Sequence, residues 1–148
     1  MIPAEIKTVR QFAKFMLASP LLLMLSKADA SRIRRFGDVA VEAVVFREGP
    51  WQVEFITLLP GAEVVRHRHN HVDSCDVCVG IDGTGVCIIG GRQVASAPRA
   101  GCHPLANLVH IPKGAWHEGA AGAKGAVCIS FQKWDTDASM FISEDWEI

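Results

Sequence analysis

From residue 38 onward the chain is written as short apolar-rich runs, each cut off by glycine or proline, and this punctuation constrains the fold more than any other feature. The candidate strands are 39–47, 51–59, 64–69, 73–81, 84–89, 92–95, 108–111, 114–118 and 127–133. Turn signals separate them at Glu48-Gly49-Pro50, Pro60-Gly61, Asp82-Gly83, Gly90-Gly91 and Pro112-Lys113-Gly114. Glycine supplies backbone conformations closed to other residues, and proline cannot continue a central strand, so long elements are excluded. Many short strands at this spacing predict a β-sandwich or a closed barrel. The 148 residues suit one such core.

The first 37 residues read differently. Thr8 is a good N-cap, and Val9, Phe12, Phe15 and Met16 fall at helical spacing, predicting a helix over 8–18. Ser19-Pro20 then opens a second helix, expected to run through 21–25 and end near Gly37. Its leucines need an apolar partner, either a barrel wall or another subunit. The chain thus divides into a helical segment (1–37), a barrel (38–134) and an acidic tail (135–148) containing Trp146, expected to dock on the barrel. Lys7, Arg10 and Lys14 before an apolar run resemble a secretory leader, but Glu5 and Pro20 interrupt that pattern. The run is shorter than the ~20 residues a membrane helix needs.

Charge and cysteine usage narrow the partners. A net charge of −1 with scattered lysine and arginine offers no basic footprint for nucleic acid or an anionic membrane. Five cysteines, Cys75, Cys78, Cys87, Cys102 and Cys128, suit a reducing cytoplasm better than a disulfide scaffold. Cys75 and Cys78 form a CxxC, but three residues apart on a strand they face opposite sides, and no second pair completes a site. They are expected to be small buried hydrophobes.

The densest chemical signal is Arg66-His67-Arg68-His69-Asn70-His71-Val72-Asp73, which holds three of the six histidines. Side chains two apart on a strand point the same way, so His67 and His69 can share one space while Arg66 and Arg68 face away. Two imidazoles and a carboxylate would offer three ligands on one face of a metal and leave positions open for substrate. Asp73 would return beside the histidines through a tight turn, and His117 is a natural fourth ligand if the barrel brings the two hairpins together. His71 is expected in the turn at the rim. His103 and His110 carry no metal signal.

In both of these segments the sequence resembles the cupin superfamily. The first cupin motif is matched from Gly61 through His67, His69 and Asp73 to Gly80 with its spacing kept. The second is matched at Pro112, Gly114 and His117, while Ala106 and Ala121 replace its opening glycine and closing asparagine. The resemblance covers roughly 38–133. It implies an all-β double-stranded β-helix, or jelly-roll, barrel behind N-terminal helices, with one divalent transition metal per chain (Fe, Mn, Ni, Co, Cu or Zn) near its centre. Asp73 stands where the family usually has Glu, one methylene longer, so a site of His67, His69 and His117 alone is the fallback.

Cupins span many activities, so fold does not fix function. The expected function is a small-molecule metalloenzyme of dioxygenase-like oxidoreductase type. The alternatives are a non-catalytic binding or sensor module and a metal-free jelly roll with vestigial histidines. The chain has no tyrosine, which excludes tyrosine acid–base chemistry. Trp116, Phe131 and Gln132 are the candidate substrate-binding residues. On the last strand the interior set is either Val127, Ile129 and Phe131 or Cys128, Ser130 and Gln132. A polar lining would favour an enzyme, and a sealed apolar one a binding role. A homodimer is expected from the apolar helical segment.

Overall fold

The computed structural model describes residues 2–25, 30, 32–78, 85–89, 92–95, 108–137 and 147–148. Two helices, α1 (Val9–Ala18) and α2 (Pro20–Met24), precede the strands. Ten strands follow in the described residues: β1 (Arg32–Phe36), β2 (Ala40–Glu48), β3 (Trp51–Leu58), β4 (Glu63–His67), β5 (Val72–Cys78), β6 (Gly85–Ile89), β7 (Arg92–Ala95), β8 (Val109–Ile111), β9 (His117–Ala121) and β10 (Ala126–Trp134). They form a six-stranded sheet in the order β1-β2-β3-β10-β5-β8 and a four-stranded sheet in the order β4-β9-β6-β7, with every pairing antiparallel. A double-stranded β-helix is thus the observed architecture.

Alternation along the six-stranded sheet separates two environments. Val53, Cys75, Val77, Ile129 and Phe131 project outward and join Val9, Phe12, Ala13 and Met16 of α1 in the apolar core. Phe12 sits at its centre, fully buried, 4.8 Å from the Trp51 ring and edge-on to Phe131 at 6.1 Å. The opposite face, carrying Gln52, Glu54, Ser74, Asp76, Ser130 and Gln132, lines a cavity of about 330 Å³ between the sheets. The principal core therefore lies outside the sheet, under the helix, and the barrel interior holds an open cavity whose largely apolar lining includes this polar row.

The start of α1 is fixed by its own sequence. Thr8 accepts a hydrogen bond from the Gln11 N–H, and the Gln11 side chain accepts one from the Thr8 N–H, closing a capping box. The apolar stripe of α1 is spent on the barrel wall. The second helix departs from expectation: it ends at Met24, and Arg32–Phe36 is a strand. Ile33 alternates with arginines at a strand period, and this segment pairs with β2 over five residues, a tertiary pairing that overrides the helical reading. Gly37, with φ +48, occupies the turn between β1 and β2 rather than a helix end. Likewise Gly114, expected to begin a strand, has φ +78 in the turn before β9. The expected turns at 82–83 and 90–91, together with Cys102, His103 and Trp146, lie outside the described residues. From the tail, Glu147 pairs its backbone with Arg68 in both directions, at 2.9 and 3.0 Å.

Because Phe12 joins helix and sheet at the centre of this core, Phe12→Ala is expected to cost about 3–5 kcal/mol. Urea denaturation of the variant checks this. A loss under about 1 kcal/mol would mean that α1 does not hold the sheet.

Candidate metal centre and barrel cavity

His67 ends β4 and His117 begins β9, and the two residues are directly paired across the antiparallel ladder. His69 lies two residues beyond His67. Its carbonyl accepts a 2.7 Å hydrogen bond from the Gly114 N–H, which binds the end of the first hairpin to the turn that launches His117. Each of the three rings can thus offer one nitrogen to a group whose atoms all lie within 4.8 Å of one another, with His67 and His117 buried. Ring centroids are 4.1 Å apart for His67 and His117, 4.9 Å for His67 and His69, and 5.3 Å for His69 and His117.

Two of these rings are oriented by the backbone. His67 Nδ1 lies 2.7 Å from the Val65 carbonyl and His117 Nδ1 lies 2.9 Å from the Ala115 carbonyl. A carbonyl can only accept, so each Nδ1 carries the hydrogen and each Nε2 keeps its lone pair. Burial also pushes His67 down to about 4 and lowers His117, so both are neutral at pH 7. Neutral rings in a fixed tautomer are what a metal ligand requires. The set suits a divalent transition ion, and it could hold one.

Other residues expected at the site lie elsewhere. Asp73 is not brought to the histidines. Val72, Ser74 and Asp76 face the cavity, so Asp73 projects outward, where its Oδ1 lies 2.9 Å from His110 Nε2 and accepts from the Lys113 N–H. Strand parity is the cause: β5 is already regular at Asp73, with Lys133 opposite it. The same parity turns Phe131 outward into the helix-covered core and Gln132 inward. The interior set of the last strand is Cys128, Ser130, Gln132 and Trp134. Trp116 does not line the cavity; Arg66 and Arg68 stack on its ring at 4.9 and 4.8 Å. His71 is exposed and lies 3.6 Å from Asp135. Cys75 is buried against α1, where burial raises its thiol to about 12, so it is inert.

Facing the same cavity is a polar wall that the motifs did not reveal. Register aligns Glu54 of β3, Ser130 of β10 and Asp76 of β5 in one row. Ser130 donates to Asp76 at 2.6 Å. Gln132 donates to Glu54 at 3.0 Å and to Ser130 at 3.2 Å. Gln52 donates to Glu54 at 3.2 Å and to Gln132 at 2.9 Å. Glu42 pairs with Arg34 at 2.8 Å. Burial raises Glu54 to about 7, reinforced by the charge of Glu42, and burial raises Asp76 to about 6. These acids border the cavity and so keep some accessible area, yet protein surrounds them. The signal that could have found them is an acid inside an otherwise apolar strand, as in Val53-Glu54-Phe55, once strand phase is known.

Two opposed pH dependences follow for metal-free protein. Folded Glu54 holds a proton that the unfolded chain releases between about 4.5 and about 7, so its contribution to stability is lost as pH rises through 7. The unfolded chain takes up a proton at His67 between about 6.5 and about 4 that the folded protein refuses, so stability also falls on acidification. Glu54→Gln removes only the first effect. Its stability relative to the unsubstituted protein should therefore rise between pH 4.5 and 7, on the order of 1 kcal/mol. Thermal melts across that range check this, and a constant difference would contradict it.

No protein-family model matches the sequence, and no curated protein matches it. Solved structures do. A cupin-2 domain from Rhodospirillum rubrum is 19% identical with a TM-score of 0.56, over 79% of this chain and 72% of that one. A double-stranded β-helix protein from Klebsiella pneumoniae is 16% identical with a TM-score of 0.52, over 74% and 88%. Oxalate decarboxylase from Bacillus subtilis is 19% identical with a TM-score of 0.58, over 82% of this chain but only 30% of its own. Identities this low speak for fold and not for activity. Together with the two sheets and the histidines gathered between them, they show that the chain has the cupin fold.

Proposed function

We propose that the barrel holds one divalent transition metal on His67, His69 and His117 and binds a small molecule beside it. The observation that carries this reading is the pair of buried rings whose Nδ1 hydrogens are engaged by backbone carbonyls, leaving Nε2 lone pairs within reach of a common ion. The bound ion would supply Lewis acidity and open coordination positions. Three neutral ligands suit iron, manganese, nickel, cobalt, copper or zinc.

The enzyme reading is favoured over a binding or sensor role by the polar wall opposite the histidines. A module that merely holds an apolar ligand has no use for Glu54, Asp76, Ser130 and Gln132 in its interior, because each is costly to bury. Titratable groups tuned toward neutral pH across the cavity from an open coordination site suit substrate orientation and proton transfer. Glu54 can accept or return a proton near neutral pH. Ser130 and Gln132 hold the two carboxyl groups in place. Dioxygenase-like oxidation is the reaction class we favour, since it needs open metal positions and makes no use of tyrosine. A cytoplasmic setting is supported by Cys75 and Cys128, both free thiols. Among the described residues no helix is long and apolar enough to cross a membrane. Self-association is a separate proposal, supported by exposed Ile33 and Val65; light scattering showing a monomer at micromolar concentration would defeat it.

Elemental analysis of the purified protein should find about one transition ion per chain, and changing both His67 and His69 to Ala should abolish it. Asp73→Asn should leave metal affinity within about twofold, because its carboxylate is occupied outside the barrel. Full metal content in the double variant would reject the site. A tenfold or greater loss in Asp73→Asn would reject the three-histidine set.

A further inference from the structure

The wall that faces the histidines has an imbalance of hydrogen-bonding capacity. Both hydrogens of the Gln52 amide go to Glu54 and Gln132, and both of the Gln132 amide go to Glu54 and Ser130. The Ser130 hydroxyl hydrogen goes to Asp76, and the Trp134 indole hydrogen goes to Gln132 at 3.0 Å. The amide, hydroxyl and indole donors of these four residues are therefore consumed within the wall. What it retains toward the cavity is acceptor capacity, because a carboxylate has about four lone-pair sites across its two oxygens. Charge is unbalanced in the same sense. Five acids, Glu54 and Asp76 among them, line the cavity against three arginines, Arg32, Arg34 and Arg47; Arg34 is bound to Glu42, and Arg47 donates to the Gln52 carbonyl at 3.0 Å.

A cavity that presents spare acceptors and surplus negative charge is complementary to a guest that is all donor and positively charged. An alkylammonium has three donors, no acceptor and a compact charge. We propose that this wall recognises the positive end of the substrate: the cavity takes a small molecule bearing a protonated amine and rejects one bearing a carboxylate at that end. The cavity of about 330 Å³ admits a small molecule. One end of the guest would lie at the histidines and the other at the row formed by Glu54, Ser130 and Asp76. This rests on the reading of the cavity as a small-molecule site and deepens it by naming the substrate class. The raised values of Glu54 and Asp76 agree with it, since buried acids that lack a cation retain protons in its place.

Ethanolamine and glycolate form a pair of probes similar in size and opposite in charge. In the His67→Ala/His69→Ala protein, where no ion on the histidines can capture the carboxylate, ethanolamine should bind at least about tenfold tighter than glycolate. Adding Glu54→Gln and Asp76→Asn should erase that preference. Titration calorimetry or ligand-observed NMR reads both. A second measurement uses the unsubstituted protein: ethanolamine affinity should rise about tenfold from pH 6 to pH 8 as Glu54 ionises while the amine stays protonated. The charged groups around Glu54 are Glu42, Arg32 and Arg34 on its own sheet, Asp76 beyond Ser130, Arg47 beside Gln52, and, on the facing sheet, Glu63, Glu118 and the three histidines. The proposal is overturned by equal or tighter glycolate binding, by the absence of ethanolamine binding, by a preference that survives loss of both acids, or by a flat pH profile. Absence of metal together with an intact amine preference would reject the metal reading alone. Bound metal without an amine preference would reject this inference alone.

Discussion

The packing of Phe12 against Trp51 and Phe131 sets the chemistry of the barrel interior. A strand has only two faces, and a shift of one residue exchanges all of them. Once α1 buries Ile129 and Phe131 on the outside, Ser130 and Gln132 must face in. Pairing then carries this phase sideways: Val53 and Cys75, which pair with Phe131, go outward, and Glu54 and Asp76, which pair with Ser130, go inward. The helix never touches the cavity described here, yet its apolar stripe decides what lines it.

The same parity explains what the sequence disclosed and what it withheld. His67 and His69 were legible because two-residue spacing places side chains together whichever face they take. His117 was legible through its Pro-x-Gly turn, and the positive φ of Gly114 and the bond to the His69 carbonyl show why that turn is needed. Asp73 is not placed by the motif because the family spacing fixes its distance along the chain and not its phase. Phe131 and Gln132 are adjacent, so at most one could line the cavity. Arg32–Phe36 does not announce itself as a strand because a strand of that length is made by its partner, and nothing local in Arg-Ile-Arg-Arg-Phe points to β2.

The cavity wall was invisible for a different reason. Glu54, Ser130 and Asp76 are spread over 77 residues of sequence, from 54 to 130, and only the register of three strands makes them a row. No local pattern encodes a cross-strand set. What the sequence does contain is conflict: Glu42, Glu54 and Asp76 sit in strands whose other residues are largely apolar. Local conflicts of that kind mark positions where stability yields to function.

The division of labour between the sheets now follows. The four-stranded sheet presents imidazoles made neutral by burial, which can hold a cation only by donating lone pairs. The six-stranded sheet presents carboxyl groups whose burial makes them reluctant to ionise without one. Either wall alone would be a site poorly suited to neutral pH, one lacking charge and the other holding too much of it. Placed on opposite sides of one cavity, they ask for positive charge at both ends, a metal ion at the histidines and a protonated group at the acids. Each charge would relieve the desolvation that the fold imposes on the wall beneath it. Burying acids inside the barrel weakens the fold, and the apolar core beneath α1 is what lets the protein tolerate that loss.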